Sequence, residues 1–105
     1  MRNVLPFIFL ALTALATTVL AGCSTNSGEK LFAVHCAGCH PDGANTITPA
    51  KSLKAADLQA NMITSPEDIV EKMRNPGPGM PRFTEAMIPN NEAMDIARYV
   101  AKTFR

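Results

Sequence analysis

The chain has 105 residues, 47% of them apolar, with ten basic and nine acidic side chains, a net charge of +1 and three cysteines. This length allows one small domain. The balanced charge, with no basic stripe, excludes nucleic acid as a partner.

The N-terminal stretch is a targeting segment, set aside before the fold is argued. Arg2 gives it a positive start, and residues 4–20 are apolar apart from three threonines and Pro6. That length is marginal for a membrane span. Its end, Leu20-Ala21-Gly22-Cys23, resembles the bacterial lipoprotein processing box. The resemblance implies a cut before Cys23 and lipid on that cysteine. The competing reading is an uncleaved helical anchor with Cys23 as a bystander. Either way the globular part sits outside the cytoplasm on a membrane, on the periplasmic side of an inner or outer membrane. The expected organisation is a signal peptide at 1–22, a short tether at 23–27 bearing lipidated Cys23, and one domain at 28–105. Loss of the leader takes Arg2 with it and leaves nine basic and nine acidic side chains.

A helix is predicted from about Gly28, with Ser27 as N-cap and Glu29 at the positive end of the dipole. Leu31, Phe32 and His35 share its spacing, so it runs straight into Cys36-Ala37-Gly38-Cys39-His40. Two cysteines two residues apart, followed at once by histidine, form the attachment site of a c-type haem. Each thiol adds across one porphyrin vinyl group, and about one helical turn separates the two sulfurs. The histidine follows on the same turn and its ring nitrogen reaches the iron as proximal ligand. Structural zinc would need four protein ligands, usually as two pairs, and the chain offers only Cys23 and His35 besides the motif. A thiol–disulfide centre would be expected beside a βαβ pattern, and no strand alternation lies nearby. All three cysteines then have a use, two for porphyrin and one for lipid. His35 precedes Cys36 directly and cannot swing to the opposite haem face within one turn.

Residues 41–49 are rich in turn formers and are expected to wrap one haem edge. Pro49 is the candidate to bring its carbonyl to the Nδ1–H of His40, as the outer partners of metal ligands do. Lys54 to Ala60 reads as a short helix turning Leu53 and Leu58 inward. Thr64-Ser65-Pro66-Glu67-Asp68 starts another: Ser65 or Thr64 caps it, Pro66 takes the first turn and an acid falls three residues after either cap. Ile69, Val70 and Met73 make its buried face. Asn75-Pro76-Gly77-Pro78-Gly79 stops it.

Met80 emerges from that stop between Gly79 and Pro81, in a rigid loop that leaves its side chain uncrowded. It is the candidate second axial ligand, brought from a distant segment to the other haem face. Methionine also fills core gaps. Met73 and Met94 lie in helical runs and suit that role, whereas Met62 and Met87, in less regular segments, remain open as ligands. A last helix is predicted from Asn90 or Asn91 to about Thr103, with Ile96, Ala97, Tyr99 and Val100 as its apolar face and Lys102 and Arg105 near its negative end.

With these residues placed, the chain resembles the class I cytochromes c, most nearly the small c6-like (c553-type) members. The similarity covers nearly all of 28–104. It rests on the Cys36–His40 motif, on Met80-Pro81-x-Phe83 and on Ile96-Ala97-x-Tyr99-Val100. In that family a glycine and an aromatic four apart on the first helix pack on an aliphatic and an aromatic three apart on the last. Gly28 with Phe32, and Ile96 with Tyr99, match. The 45–53 stretch also looks like the c6 loop, with its proline at Pro49. The resemblance implies an all-α fold of about four short helices round one covalent haem c, His40/Met80 ligation, and a one-electron carrier rather than an enzyme. A leader of lipoprotein type departs from soluble c6 proteins and puts a freely diffusing, photosynthetic role in doubt.

The expected partners are protein redox partners of a respiratory chain, with the membrane reached through the N-terminal lipid and the protein itself a monomer. The alternative class is a haem-based ligand-binding sensor or small catalyst with an open sixth position; it needs Met80 off the iron. A third is a tethered subunit of one fixed enzyme complex. Lys51, Lys54, Lys72, Arg74 and Arg82 are candidates to ring the haem edge and steer an acidic partner, against the plainer reading of ordinary solvated charges.

Overall fold

The structure, a computed structural model, describes residues 27–105; the leader and Cys23 lie outside the described residues. Among these the regular structure is helical, with no strand. Helix α1 spans Ser27–His35, α2 Ala55–Ala60, α3 Pro66–Arg74 and α4 Asn90–Thr103, with short 3₁₀ turns at Pro41–Gly43 and Pro49–Lys51. The expected all-α class with four short helices is what the chain adopts.

Each helix begins and ends for a chemical reason. In α3 the Ser65 hydroxyl accepts from the Asp68 amide at 3.2 Å, and the Asp68 carboxylate accepts in return from the Ser65 amide at 3.1 Å. This reciprocal pair is a capping box, and it decides between the two candidate caps in favour of Ser65. The Thr64 amide also donates to that carboxylate. This bond first, and then the Ser65 hydroxyl, hold the Asp68 carboxyl below the usual carboxylate range. Helix α3 ends at Arg74 because Pro76 disfavours helical backbone at Asn75. The Ser27 hydroxyl, at the start of α1, donates to Asp95 on α4 at 3.1 Å.

Helix α4 is the central element, packed by α1 on one side and α3 on another. Its Ala93, Ile96, Ala97 and Val100 are buried, and Tyr99 is half-buried at the edge. Ile69 and Met73 of α3 are buried against the same core, with Val70 half-buried. Leu58 is buried and Leu53 half-buried, as their positions beside and within a short inward-facing helix suggest.

The backbones of α1 and α4 approach closely at Gly28. A Cβ built there would lie 2.3 Å from the Asp95 carbonyl oxygen and 3.0 Å from the Tyr99 Cβ. One turn along α1, the Phe32 ring stacks obliquely on Tyr99 with centroids 5.4 Å apart. Gly28, Phe32, Ile96 and Tyr99 therefore pack as the sequence pattern implied. Phe104 completes an aromatic triangle, 5.3 Å from Phe32 and 5.8 Å from Tyr99. Its carbonyl accepts from the Ala55 amide at 2.9 Å, which ties the C-terminus to the start of α2.

No side chain but hydrogen fits at Gly28, because the obstacle is backbone and cannot rotate away. Gly28→Ala is expected to cost about 3 kcal/mol by overpacking, read as a lower denaturation midpoint of the haem-loaded protein. An unchanged midpoint would show that α1 can slide off α4 freely.

Candidate haem site

The Cys36–His40 segment continues α1 as hydrogen-bonded turns. The Cys36 and Ala37 amides both donate to Phe32 O, and the His40 amide donates to Cys36 O at 2.9 Å. The two cysteines and the histidine are thus fixed relative to each other by backbone bonds. Cys36 is half-buried and Cys39 exposed, and neither is in a disulfide. Burial pushes the Cys36 thiol up to about 11, which favours the neutral thiol over the thiolate.

After His40 the chain reverses. Asp42 and Gly43 both have left-handed backbone, with φ of 51° and 80°. A side chain at Gly43 would also collide with the Phe104 ring at 2.5 Å. The reversal brings the Ala44 carbonyl onto the His40 ring, 2.8 Å from Nδ1. A carbonyl can only accept, so Nδ1 carries the proton and Nε2 keeps its lone pair free for a metal. This corrects the expectation for Pro49. Its carbonyl is not the partner of His40, because Pro49 opens the second 3₁₀ turn while the left-handed pair places Ala44 nearest. Sequence inspection missed Ala44, although the Asp-Gly step before it marked the reversal.

The next segment is shaped by Asn45. Its side-chain oxygen accepts from the Ile47 and Thr48 amides at 3.0 and 2.8 Å, and its amide nitrogen donates to Lys51 O at 2.9 Å. Asn45 also escaped the sequence reading; the signal available was a side chain able to fold an Asx turn on its own backbone.

The motif turn, the Asn45 loop, the Met80 loop and the inner faces of α3 and α4 enclose a cavity of about 250 Å³. Cys36, Cys39, His40 and Met80 all line it, with Leu53, Leu58, Ile69, Met73, Phe83, Ile96 and Val100 among its apolar wall. Among the described residues no buried side-chain nitrogen or oxygen lacks a hydrogen-bond partner. Among the same described residues no group of three His, Cys, Asp or Glu converges as a metal nest. Two thiols, an imidazole with a free Nε2 and a thioether around a largely apolar space fit a large flat apolar cofactor carrying its own metal. They do not fit a bare cation held by four protein ligands.

The open choices among the methionines narrow. Met62 is 84% exposed and Met87 55% exposed, and neither lines the cavity. Met73 lines it from within helix α3 and is itself core. His35 lines the cavity and packs edge-on against Phe83 at 6.0 Å. Of the five basic candidates for steering, Lys51 and Lys72 reach the cavity wall. Arg74 is turned inward onto backbone carbonyls.

A family model described as "Cytochrome C oxidase, cbb3-type, subunit III" matches residues 24–100. Cytochrome c6 of Cyanidium caldarium is 34% identical over 101 residues, which span 94% of this chain and 91% of the relative. The chain belongs to the class I cytochromes c, in the c6-like group. Cytochrome c6 of Synechocystis sp. is 40% identical over 94 residues, 89% of this chain and 77% of the relative. Among solved structures, OmcF, outer membrane cytochrome F of Geobacter sulfurreducens, is similar with a TM-score of 0.73 and 52% identity, over 74% of this chain and 99% of that one. Cytochrome c6C of Synechococcus sp. PCC 7002 is similar with a TM-score of 0.69 and 28% identity, over 74% and 94%. As a member of this family the cytochrome binds one covalent haem c and is a small monohaem electron carrier, not an enzyme.

The two loops meet at the cavity mouth, where Gly79 has a φ of 92° and a Cβ there would lie 3.1 Å from the Ile47 Cγ2. Gly79→Ala combines a disfavoured backbone with a contact that must give, and is expected to cost about 1–2 kcal/mol. Denaturant unfolding of the haem-loaded protein measures this. A neutral result would show that the loop adopts another backbone without loss.

Proposed function

We propose that this cytochrome carries single electrons between respiratory protein partners while tethered to a membrane by lipid on Cys23. In this reading Cys36 and Cys39 would hold the porphyrin, and His40 Nε2 and the Met80 sulfur would bind its iron. The observation that carries it is the convergence of the motif turn and the Met80 loop on one apolar cavity, with His40 Nδ1 already committed to Ala44.

The haem supplies a one-electron iron couple. The residues do the rest. The Ala44 carbonyl locks the tautomer and plane of His40, so the ligand nitrogen is presented without reorganisation. The methionine thioether favours the reduced state and raises the potential. Ile69, Ile96 and Val100 keep water from the buried side of the cavity. Cys39 and Ile47 are exposed at its rim, where a partner can approach.

Tethering is supported by the Leu20–Cys23 box, which resembles lipoprotein leaders. Two names among the relatives point the same way: one belongs to an outer membrane cytochrome and the other to an oxidase subunit. Among the described residues no helix is long and apolar enough to cross a membrane. The proposed order along the chain is leader 1–22, tether 23–27 and cytochrome domain 28–105; α1 starts at Ser27, one residue before that boundary.

Carbon monoxide tests the ligation. The optical spectrum of the reduced wild type is expected to stay unchanged on its addition, whereas Met80→Ala is expected to shift at once. A prompt shift in the wild type would favour a sensor or catalyst with an open sixth position. For the tether, radiolabelled fatty acid is expected in the wild type and not in Cys23→Ser; equal labelling of both would defeat the lipid assignment.

A further inference from the structure

The Met80 loop has little internal support. Among the described residues no hydrogen bond begins or ends on any of residues 76–82. The segment is stiffened by Pro76, Pro78 and Pro81, yet stiffness alone does not say where it lies. Its position is set at its ends, and both ends are fastened to the last turn of α3. At one end the Asn75 amide donates to Glu71 O at 2.8 Å. At the other, the Phe83 amide donates to Met73 O at 2.9 Å.

Arg74 closes this second end. Its Nη1 donates to Phe83 O at 3.0 Å, and its Nη2 donates to Ile88 O at 2.9 Å and to Asn90 Oδ1 at 2.8 Å. No other hydrogen bond reaches the Phe83 or Ile88 carbonyl among the described residues. One planar guanidinium therefore joins the foot of the Met80 loop, the following 84–89 turn and the first residue of α4. Charge-assisted bonds from a rigid fork are among the stronger ones a side chain makes. Phe83 and Ile88, whose carbonyls are held, are themselves buried at 8% and 0% exposure, so the clamp acts on backbone that packing also fixes.

We infer that Arg74 is a positioning residue for the sixth ligand: its fork holds the loop shut so that the Met80 sulfur stays at the cavity. The inference rests on Met80 being that ligand. Arg74 does not itself line the cavity; it bonds the Phe83 carbonyl behind the wall, so it acts through the loop and not on the cofactor. Lysine at this position keeps the charge but gathers its three N–H donors on one nitrogen, without the planar fork whose two nitrogens reach Phe83 on one side and Ile88 and Asn90 on the other.

The test compares haem-loaded wild type, Arg74→Ala, Arg74→Lys, Met80→Ala and Gly28→Ala. Two signals are read: the rate of carbon monoxide uptake by the reduced protein, and the methionine–iron charge-transfer band of the oxidised protein. Arg74→Ala is expected to take up carbon monoxide at least tenfold faster than wild type and to lose much of the band. Arg74→Lys should fall between. Gly28→Ala loosens the α1–α4 contact and touches none of the bonds that anchor the Met80 loop to α3 and α4, so it should leave both signals near wild type. Were Gly28→Ala to open the sixth position as much as Arg74→Ala, the effect would be general loosening and the inference would be wrong. If Met80→Ala opens the site and neither Arg74 variant does, the clamp fails and the ligation reading survives. Should Met80→Ala itself change nothing, the ligation reading falls and takes the clamp with it. Should Arg74→Ala not fold, Arg74→Lys carries the test, with wild-type uptake and an intact band in it counting against the inference.

Discussion

The backbone of α1 lies directly on the backbone of α4 at Gly28, with no room for a Cβ between them. The histidine side of the site descends from that approach. It sets the distance at which Phe32 can stack on Tyr99 and Phe104, and it aims the C-terminal end of α1 at the cavity. The haem-attachment motif is simply the next turn of that helix. A glycine with ordinary helical backbone is kept here for its missing side chain, not for its conformational freedom.

From that platform the site is assembled by two loops that differ in how they are held. The segment after His40 is folded by its own side chains and backbone: a left-handed pair at Asp42 and Gly43, then Asn45 bonding to three backbone groups within six residues. It would keep much of its shape wherever it was placed. The Met80 loop is the reverse. It has stiff prolines and no internal hydrogen bonds, so its shape is borrowed from the end of α3 and the start of α4. The His40 side is thus held by bonds of its own segment, and the Met80 side by anchors at a distance. This chain divides its hydrogen bonds accordingly.

Several features were legible because they depend on neighbours in sequence. The motif turn, the Ser65 cap, the stop at Pro76 and the apolar spacing of Ile96, Ala97 and Val100 are all local or periodic signals. The structure follows them closely. The partner of His40 was misjudged for an equally physical reason. Pro49 and Ala44 both offer a carbonyl in a turn-rich loop, and which one faces the ring depends on two backbone angles that composition does not specify. Ile88, fully buried in the irregular 84–89 segment just before Pro89, had no periodic neighbours to mark it.

Residue types and their spacing were enough to determine the haem chemistry, the helical class and the two segments that line the cavity. These follow from bond reach and helical geometry over a few residues. Tertiary structure alone decided which carbonyl fixes the histidine tautomer, which methionines are turned to solvent, and that Arg74, read in the sequence as a surface charge, is spent on backbone carbonyls nine and fourteen residues away. Such choices depend on where the chain returns to itself, and only the packing of α1 and α3 on α4 sets those returns.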